Sequence, residues 1–195
     1  LIKKILRQLC YEEQADCFGK PIGLLSRQAH HLPRYLKPGT PVAVEIHFQT
    51  AHQGQADRVL TTEMSWANKE LKTWEGLDPF ILMPTYRLLH NTVHTLLPNR
   101  AYTSSIFPLN QLVEFAYIVH RYHSSIDWRK WLMKGTYQGL NRPFRIYLTL
   151  AHRLMGVPIP KQVSPVSFSN LHMARIYNAA KNKADSLSGN EKTNY

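Results

Sequence analysis

The feature that most constrains the fold is a series of helical segments with proline and glycine at their ends. Apolar residues recur at helical spacing after Pro84, Pro108 and Pro143. Proline fits the first turn of a helix, because the first backbone N–H groups have no partner inside the helix. Gly139 ends a further helical segment that Ser125 or Asp127 can cap, and Gly156 ends the segment after Pro143. The pattern predicts a mostly helical bundle over residues 56–160.

A different pattern precedes the helices. In the run from Val42 to Phe48, apolar residues alternate with Ala43, Glu45 and His47, which predicts a strand with one apolar face. The Pro38-Gly39 pair is typical of a turn, so an antiparallel partner is expected before it. The predicted fold class is therefore α+β, a short antiparallel β segment followed by a mostly α-helical bundle. We expect three parts: an α/β segment at 1–55, a helical domain at 56–160, and an extended segment, terminal helix and polar tail at 161–195.

The composition narrows the class of partner. Lys and Arg number 24 against 13 for Asp and Glu, which gives a net charge of +11 and favours a polyanionic partner. No apolar run approaches the roughly 20 residues that a membrane helix needs, so no membrane association is expected. The two cysteines, Cys10 and Cys17, form no disulfide scaffold, and reduced thiols indicate a cytoplasmic protein.

The first residues already have the character of a helix interior. Apolar side chains recur at helical spacing from Leu1 to Leu9, and no capping residue precedes them. One interpretation is that the chain begins inside a fold whose earlier part is absent. The other is a trimmed natural terminus.

Glu45 is the first candidate for chemistry. On the predicted strand its carboxylate projects from the side opposite the apolar face. Such a group can ligate Mg²⁺, which prefers oxygen ligands, or activate a hydroxyl nucleophile. The alternative is a solvent-facing glutamate on an amphipathic strand.

Histidines form the second candidate group. His30 and His31 on an adjacent strand can face the same cleft as Glu45 and His47, where an imidazole can contact a phosphate; a structural role is the alternative. His90 and His94 share a helix face, but the glutamate of a zinc-protease helix is missing between them. We therefore expect that pair to pack at a helix seam.

Basic residues gather around three predicted helices. They are a candidate phosphate-binding face, although a solvated basic face is equally compatible with the pattern. The residues are Arg121, Arg129, Lys130, Lys134, Arg142, Arg145 and Arg153.

Several short motifs occur in a fixed order along the chain. They are His30-His31-Leu32-Pro33, Pro38-Gly39, Val44-Glu45-Ile46-His47, Leu88-Leu89-His90 with His94, Ile126-Asp127-Trp128, and Leu150-Ala151 through Leu154 to Gly156, Pro158 and Pro160. Together they resemble a bacterial family of uncharacterised nucleotidyltransferases within the DNA polymerase beta-like superfamily. The resemblance runs from about Leu1 to Pro160, over the middle and C-terminal parts of the family.

The resemblance implies Mg²⁺-dependent transfer of a nucleotidyl group from an NTP to an unknown acceptor. Glu45 would be the third metal-binding carboxylate, with His30, His31 and His47 as substrate-binding residues. The family's Gly-Ser turn and Asp-x-Asp strand are missing from this sequence, in which Asp16 is the one aspartate before Glu45. This chain alone is therefore expected to be inactive, and a second chain is one possible source of the missing strands. The alternative function is a non-catalytic basic helical module that binds a protein or RNA.

Overall fold

The structure is a computed structural model that describes residues 1–15, 31–50, 54, 58–97, 102, 107–166, 174–179 and 181–182. These residues form an α+β fold of helices with short antiparallel strands, as the sequence predicts. The helices are α1 (Ile2–Gln8), α2 (Thr62–Ala67), α3 (Pro84–Leu96), α4 (Leu109–Tyr122), α5 (Trp128–Tyr137) and α6 (Asn141–Met155), with a 3-10 turn at His123–Ser125. The strands are β1 (Glu12–Glu13), β2 (Tyr35–Leu36), β3 (Ala43–Val44), β4 (Lys69–Leu71) and β5 (Phe80–Leu82).

The helix ends follow the local sequence closely. Pro84 begins α3, and Gly156 ends α6 in the left-handed conformation, with a φ of 68°. Asp127 caps α5, because its side chain accepts a hydrogen bond of 2.8 Å from the Lys130 N–H. Pro143 is the third residue of α6 rather than the first. Proline is tolerated there because the N–H groups of the first turn lack helical partners.

The core lies among α3, α4, α5 and α6. Trp131 of α5 is fully buried, and its indole ring lies 4.8 Å from the Phe144 ring of α6. Its Nε1–H donates to Thr92 Oγ1 of α3 at 3.2 Å. Tyr147 of α6 donates to Asn91 Oδ1 of α3 at 2.9 Å, so both buried polar groups have partners.

The core extends to residues on both sides of these helices. Val59, Val163 and Ile176 are buried in the same cluster, and residues 174–179 form the terminal helix that the sequence predicts. The domain boundaries after residues 55 and 160 stay predictions. None of the described helices has the length and apolar composition to span a membrane.

The strand prediction over residues 42–48 is wrong in its extent. Only Ala43–Val44 is a regular strand, paired antiparallel to β2, which in turn pairs with β1. The expected apolar face is not a core face along its whole length, because Val42 and Phe48 are 60% and 55% exposed. The turn at Pro38-Gly39 is confirmed, with the Thr40 N–H donating to the Lys37 carbonyl and Gly39 at a φ of 75°.

A β-bulge explains the short strand. Tyr35 pairs with Val44, but the next bridge along the two chains joins His31 to His47, so residues 31–35 oppose residues 44–47. The longer side therefore carries one extra residue, and it contains Pro33, which has no N–H to donate. The pairing resumes where the Leu32 N–H donates to the Ile46 carbonyl at 2.8 Å.

A β-hairpin interrupts the region expected to be helical. β4 and β5 pair antiparallel between α2 and α3, inside the 56–160 range that the sequence predicts to be mostly helical. The sequence does not reveal this hairpin, because apolar and polar residues do not alternate regularly along its two short strands. The hairpin and α2 both line the cavity that is described in the next section.

Candidate functional site

The structure brings together three of the residues that the sequence singles out. Glu45, His31 and His47 lie on the two chains of the bulged β2–β3 ladder, and the rings of His31 and His47 are 5.2 Å apart. His30 lies outside the described residues. The expected grouping around Glu45 is therefore present for two of the three histidines, and the roles assigned to them stay predictions.

Arg34 is the partner of Glu45. Its Nε donates to Glu45 Oε1 at 2.8 Å, and its second guanidinium nitrogen lies 2.7 Å from the same oxygen. Arg34 holds the pKa of Glu45 below its usual range, so the carboxylate is charged near neutral pH. The sequence interpretation missed Arg34. Continuing the β2–β3 register by one residue places it directly opposite Glu45, which is the signal that could have found it.

The second carboxylate oxygen faces the histidines. Glu45 Oε2 lies 3.6 Å from His47 Nε2. Burial lowers the pKa of His47, and the neighbouring His31 lowers it further, against an opposing contribution from Glu45. His47 therefore favours its neutral form, which can both accept and donate hydrogen bonds.

Two more histidines reach this cluster from α3. The rings of His90 and His94 are 5.9 Å apart, and His90 lies close enough to Thr50 and His47 for both to affect its pKa. Burial lowers the pKa of His90, and so do the nearby His94 and His47. The pair therefore lies on α3 beside the 47–50 segment, and the helix seam expected for it stays a prediction. We call His31, His47, His90 and His94 the histidine cluster.

The described residues of this cluster do not fit a magnesium ion by themselves. Mg²⁺ prefers oxygen ligands, whereas the groups around Glu45 are imidazoles and a guanidinium that already holds Oε1. In the part of the chain that the structure describes, no group of three or more His, Cys, Asp or Glu residues is arranged to hold a metal. A metal role for Glu45 stays a prediction that requires carboxylates from elsewhere.

A cavity of about 250 Å³ opens beside the histidine cluster. Its floor is the 47–50 segment, one wall is α2, and the other wall is the β4–β5 hairpin. Thr50 connects the 47–50 segment to α2, because its hydroxyl donates a hydrogen bond of 2.9 Å to Ser65 Oγ. The lining residues are His47, Phe48, Gln49, Thr50, Thr62, Ser65, Trp66, Lys69, Phe80, Ile81 and Leu82. We call this space the aromatic cavity.

The aromatic cavity combines ring surfaces with polar groups. Trp66 and Phe80 are 61% and 57% exposed, although large rings are usually buried. The Lys69 ammonium lies 4.3 Å from the Trp66 ring centroid and 4.2 Å from that of Phe80. Gln49 Oε1 is a buried acceptor with no hydrogen-bond partner among the described residues. A ligand with a flat ring and a hydrogen-bond donor would satisfy both features.

These observations define an α+β protein with a helical bundle and, beside its histidine cluster, a cavity lined by His47 and aromatic rings. No protein-family model, curated protein or solved structure matches the chain. The resemblance to nucleotidyltransferases therefore stays a prediction from sequence motifs.

Proposed function

We propose that this chain is the nucleotide-binding part of a nucleotidyltransferase-like protein and that the aromatic cavity holds the base of an NTP. The observation that carries the proposal is the cavity itself, a space of about 250 Å³ between exposed rings and a histidine cluster. Nucleobases stack on aromatic side chains, and each stacked base contributes about 1–3 kcal/mol. Trp66 and Phe80 are both largely exposed, and a base would stack on a ring face by displacing the Lys69 ammonium or on the face that this ammonium leaves open.

The polar groups of the cavity are suited to the edge of a base and to the phosphates of a nucleotide. Gln49 lines the cavity, and its buried Oε1 has no partner among the described residues, so it would accept a hydrogen bond from an exocyclic amino group if the side chain turned toward the ligand. Lys69 supplies a positive charge at the same cavity for the phosphates. Neutral His47 lines the cavity and offers a further donor. A Gln49 oxygen turned toward the ligand would favour adenine, guanine or cytosine, which carry an exocyclic amine, over uracil, which carries none.

Nucleotidyl transfer is proposed only for the protein joined to a portion that carries the family's Asp-x-Asp carboxylates. Glu45 is a single carboxylate paired with Arg34, and a two-metal site needs several oxygen ligands. In the present arrangement Arg34 keeps Glu45 charged and fixed in place beside the cavity. We therefore expect the chain by itself to bind nucleotide without transferring it.

Binding is tested by titrating ATP, GTP, CTP and UTP in separate calorimetric experiments without added metal. We expect Trp66→Ala to weaken binding about tenfold, because the stacked ring is lost. The matched control is Trp74→Ala, which removes an equally exposed ring that does not line the cavity. Gln49→Leu should reduce the preference for bases that carry an amino group.

Two outcomes would overturn the proposal. One is the absence of binding by all four nucleotides at millimolar concentration. The other is an equal loss of affinity in Trp66→Ala and Trp74→Ala, which would place the nucleotide outside the cavity.

A second candidate function is the basic helical binding module. It is favoured by a specific observation, a cationic face on α5 that lies on the bundle rather than at the aromatic cavity.

A further inference from the structure

The exposed side of α5 forms a second cavity, of about 240 Å³. Five of its lining residues recur along one face of the helix at positions 129, 130, 133, 134 and 137, and Asp127 closes its N-terminal end. From position 129 to 137 this face spans about 12 Å, at about 1.5 Å per residue. We call it the α5 groove.

Positive charge dominates the α5 groove. Arg129, Lys130 and Lys134 line it, against the single carboxylate of Asp127. That carboxylate is already engaged, because Oδ1 accepts the Lys130 N–H at 2.8 Å as the helix cap. The side-chain ammonium of Lys130 lies 3.9 Å from Oδ2, a long contact on an exposed surface, where ion pairs are weak. Lys134 Nζ contacts the Met64 sulfur at 3.5 Å, a weak acceptor.

Two further arginines lie close to the chain that leads into α5. Arg87 of α3 and Arg121 of α4 both lie over the Tyr122 ring, at 5.3 and 5.9 Å from its centroid. Tyr122 is the last residue of α4 and precedes the Asp127 cap by one short turn. The Asp127 N–H donates to Thr85 Oγ1 at 2.9 Å, so the start of α3 is joined to the start of α5.

An aromatic ring stands at the opposite end of the groove. Tyr137 is 75% exposed, and Met133 between it and the cations is 39% exposed. A tyrosine left this open to water makes little contribution to the core. A row of cations that ends in a free aromatic face is the combination with which proteins bind single-stranded nucleic acid, through phosphates and stacked bases.

We propose that the α5 groove binds single-stranded nucleic acid, with phosphates at Arg129, Lys130 and Lys134 and a base stacked on Tyr137. An acidic peptide would satisfy the cations but would leave the tyrosine ring without a flat partner. This site does not depend on the aromatic cavity, and its failure leaves the nucleotide proposal intact. The net charge of +11 favours approach of the same class of partner.

The test is fluorescence anisotropy with a labelled 12-nucleotide oligouridine RNA, the matching oligothymidine DNA and a labelled polyglutamate peptide, each at several salt concentrations. Binding of either nucleic acid supports the proposal. In Arg129→Gln/Lys134→Gln the affinity for RNA should fall at least tenfold and the salt dependence should become shallower, since two phosphate contacts are lost. Tyr137→Ala should weaken RNA binding about tenfold with its salt dependence unchanged.

The control for charge is Lys4→Gln, which removes an exposed cation of α1 that lies outside the groove. Circular dichroism confirms that each variant is folded. The proposal is overturned if the double variant binds RNA as the Lys4→Gln protein does, or if polyglutamate binds as tightly as RNA at equal salt. Trp66→Ala should leave RNA binding unchanged, which separates this site from the nucleotide cavity.

Discussion

The helical bundle and the bulged β2–β3 ladder differ in how fully they bury their apolar residues. In the bundle, large side chains such as Trp131, Phe115 and Tyr147 are fully buried, and the polar groups among them are hydrogen-bonded. In the ladder Tyr35 is buried, but Val42 and Phe48 beside the paired residues are exposed, and Glu45 is held mainly by Arg34. The bundle is thus a stable support, whereas the ladder presents side chains at a cleft. Groups that bind ligands are commonly placed on such weakly packed segments beside a rigid scaffold.

The largest effect that would test this contrast is the loss of a buried bundle ring. Trp131→Ala removes contacts with Phe144 at 4.8 Å and Trp128 at 5.7 Å, and leaves a cavity in the core. We expect the free energy of unfolding to fall by about 3–5 kcal/mol. Trp66→Ala is the control, because its ring is 61% exposed, and it should cost less than about 1 kcal/mol. Urea denaturation measures both, and equal losses would contradict the division into scaffold and cleft.

An intermediate effect is expected where the two regions meet, at the histidine cluster. The pKa of both His47 and His90 is lowered from 6.5 in the folded protein, chiefly by burial and then by the neighbouring imidazoles. The unfolded chain therefore takes up protons first as the pH falls below about 6.5. The contribution of these two histidines to the free energy of unfolding is therefore fully present above that pH. It is lost on acidification, because protonation of the histidines favours the unfolded state.

Unfolding free energy measured between about pH 8 and about pH 3 tests this dependence. We expect a decline below about pH 6.5 that becomes shallower in His47→Gln/His90→Gln. The slope below about pH 4.5 should survive in that variant, because the lowered pKa values of Glu13 and Glu45 also make folding less favourable in acid. An unchanged slope between pH 7 and pH 5 would show that the cluster does not couple the ladder to α3.

The smallest effect is expected within the ladder itself. Glu45→Gln breaks the ion pair with Arg34, whose side chain is half exposed, so the free energy of unfolding should fall by less than about 1 kcal/mol. Nucleotide affinity without metal should stay within about twofold of the parent chain, since Glu45 does not line the aromatic cavity. A larger loss of stability would mean that the ladder depends on this pair as the bundle depends on its core.

Sequence reasoning succeeds best where the cause is local. Pro84, Asp127 and Gly156 mark helix ends because each acts on the backbone within its own turn. It fails at the β4–β5 hairpin and at the ends of the 42–48 strand. There the outcome depends on the bulge at Pro33 and on pairing with distant residues, which alternation along a single segment does not reveal.

The candidate site divides in the same manner. Glu45, His31 and His47 were found by their strand positions, and the antiparallel turn brings them together. Arg34 was missed because its significance appears only when the register is known. The aromatic cavity was missed because Gln49, Trp66 and Phe80 come from three separate elements whose approach no sequence spacing encodes.

By itself the sequence determined the net charge, the α+β class, the helix ends and the turn before β3, because each of these follows from composition or from contacts within a few residues. The tertiary structure alone decided which cation holds Glu45, which histidines share one cluster, and where rings are left open to solvent. Those outcomes are set by the packing of the ladder and the hairpin against α2 and α3, and that packing brings together residues far apart along the chain.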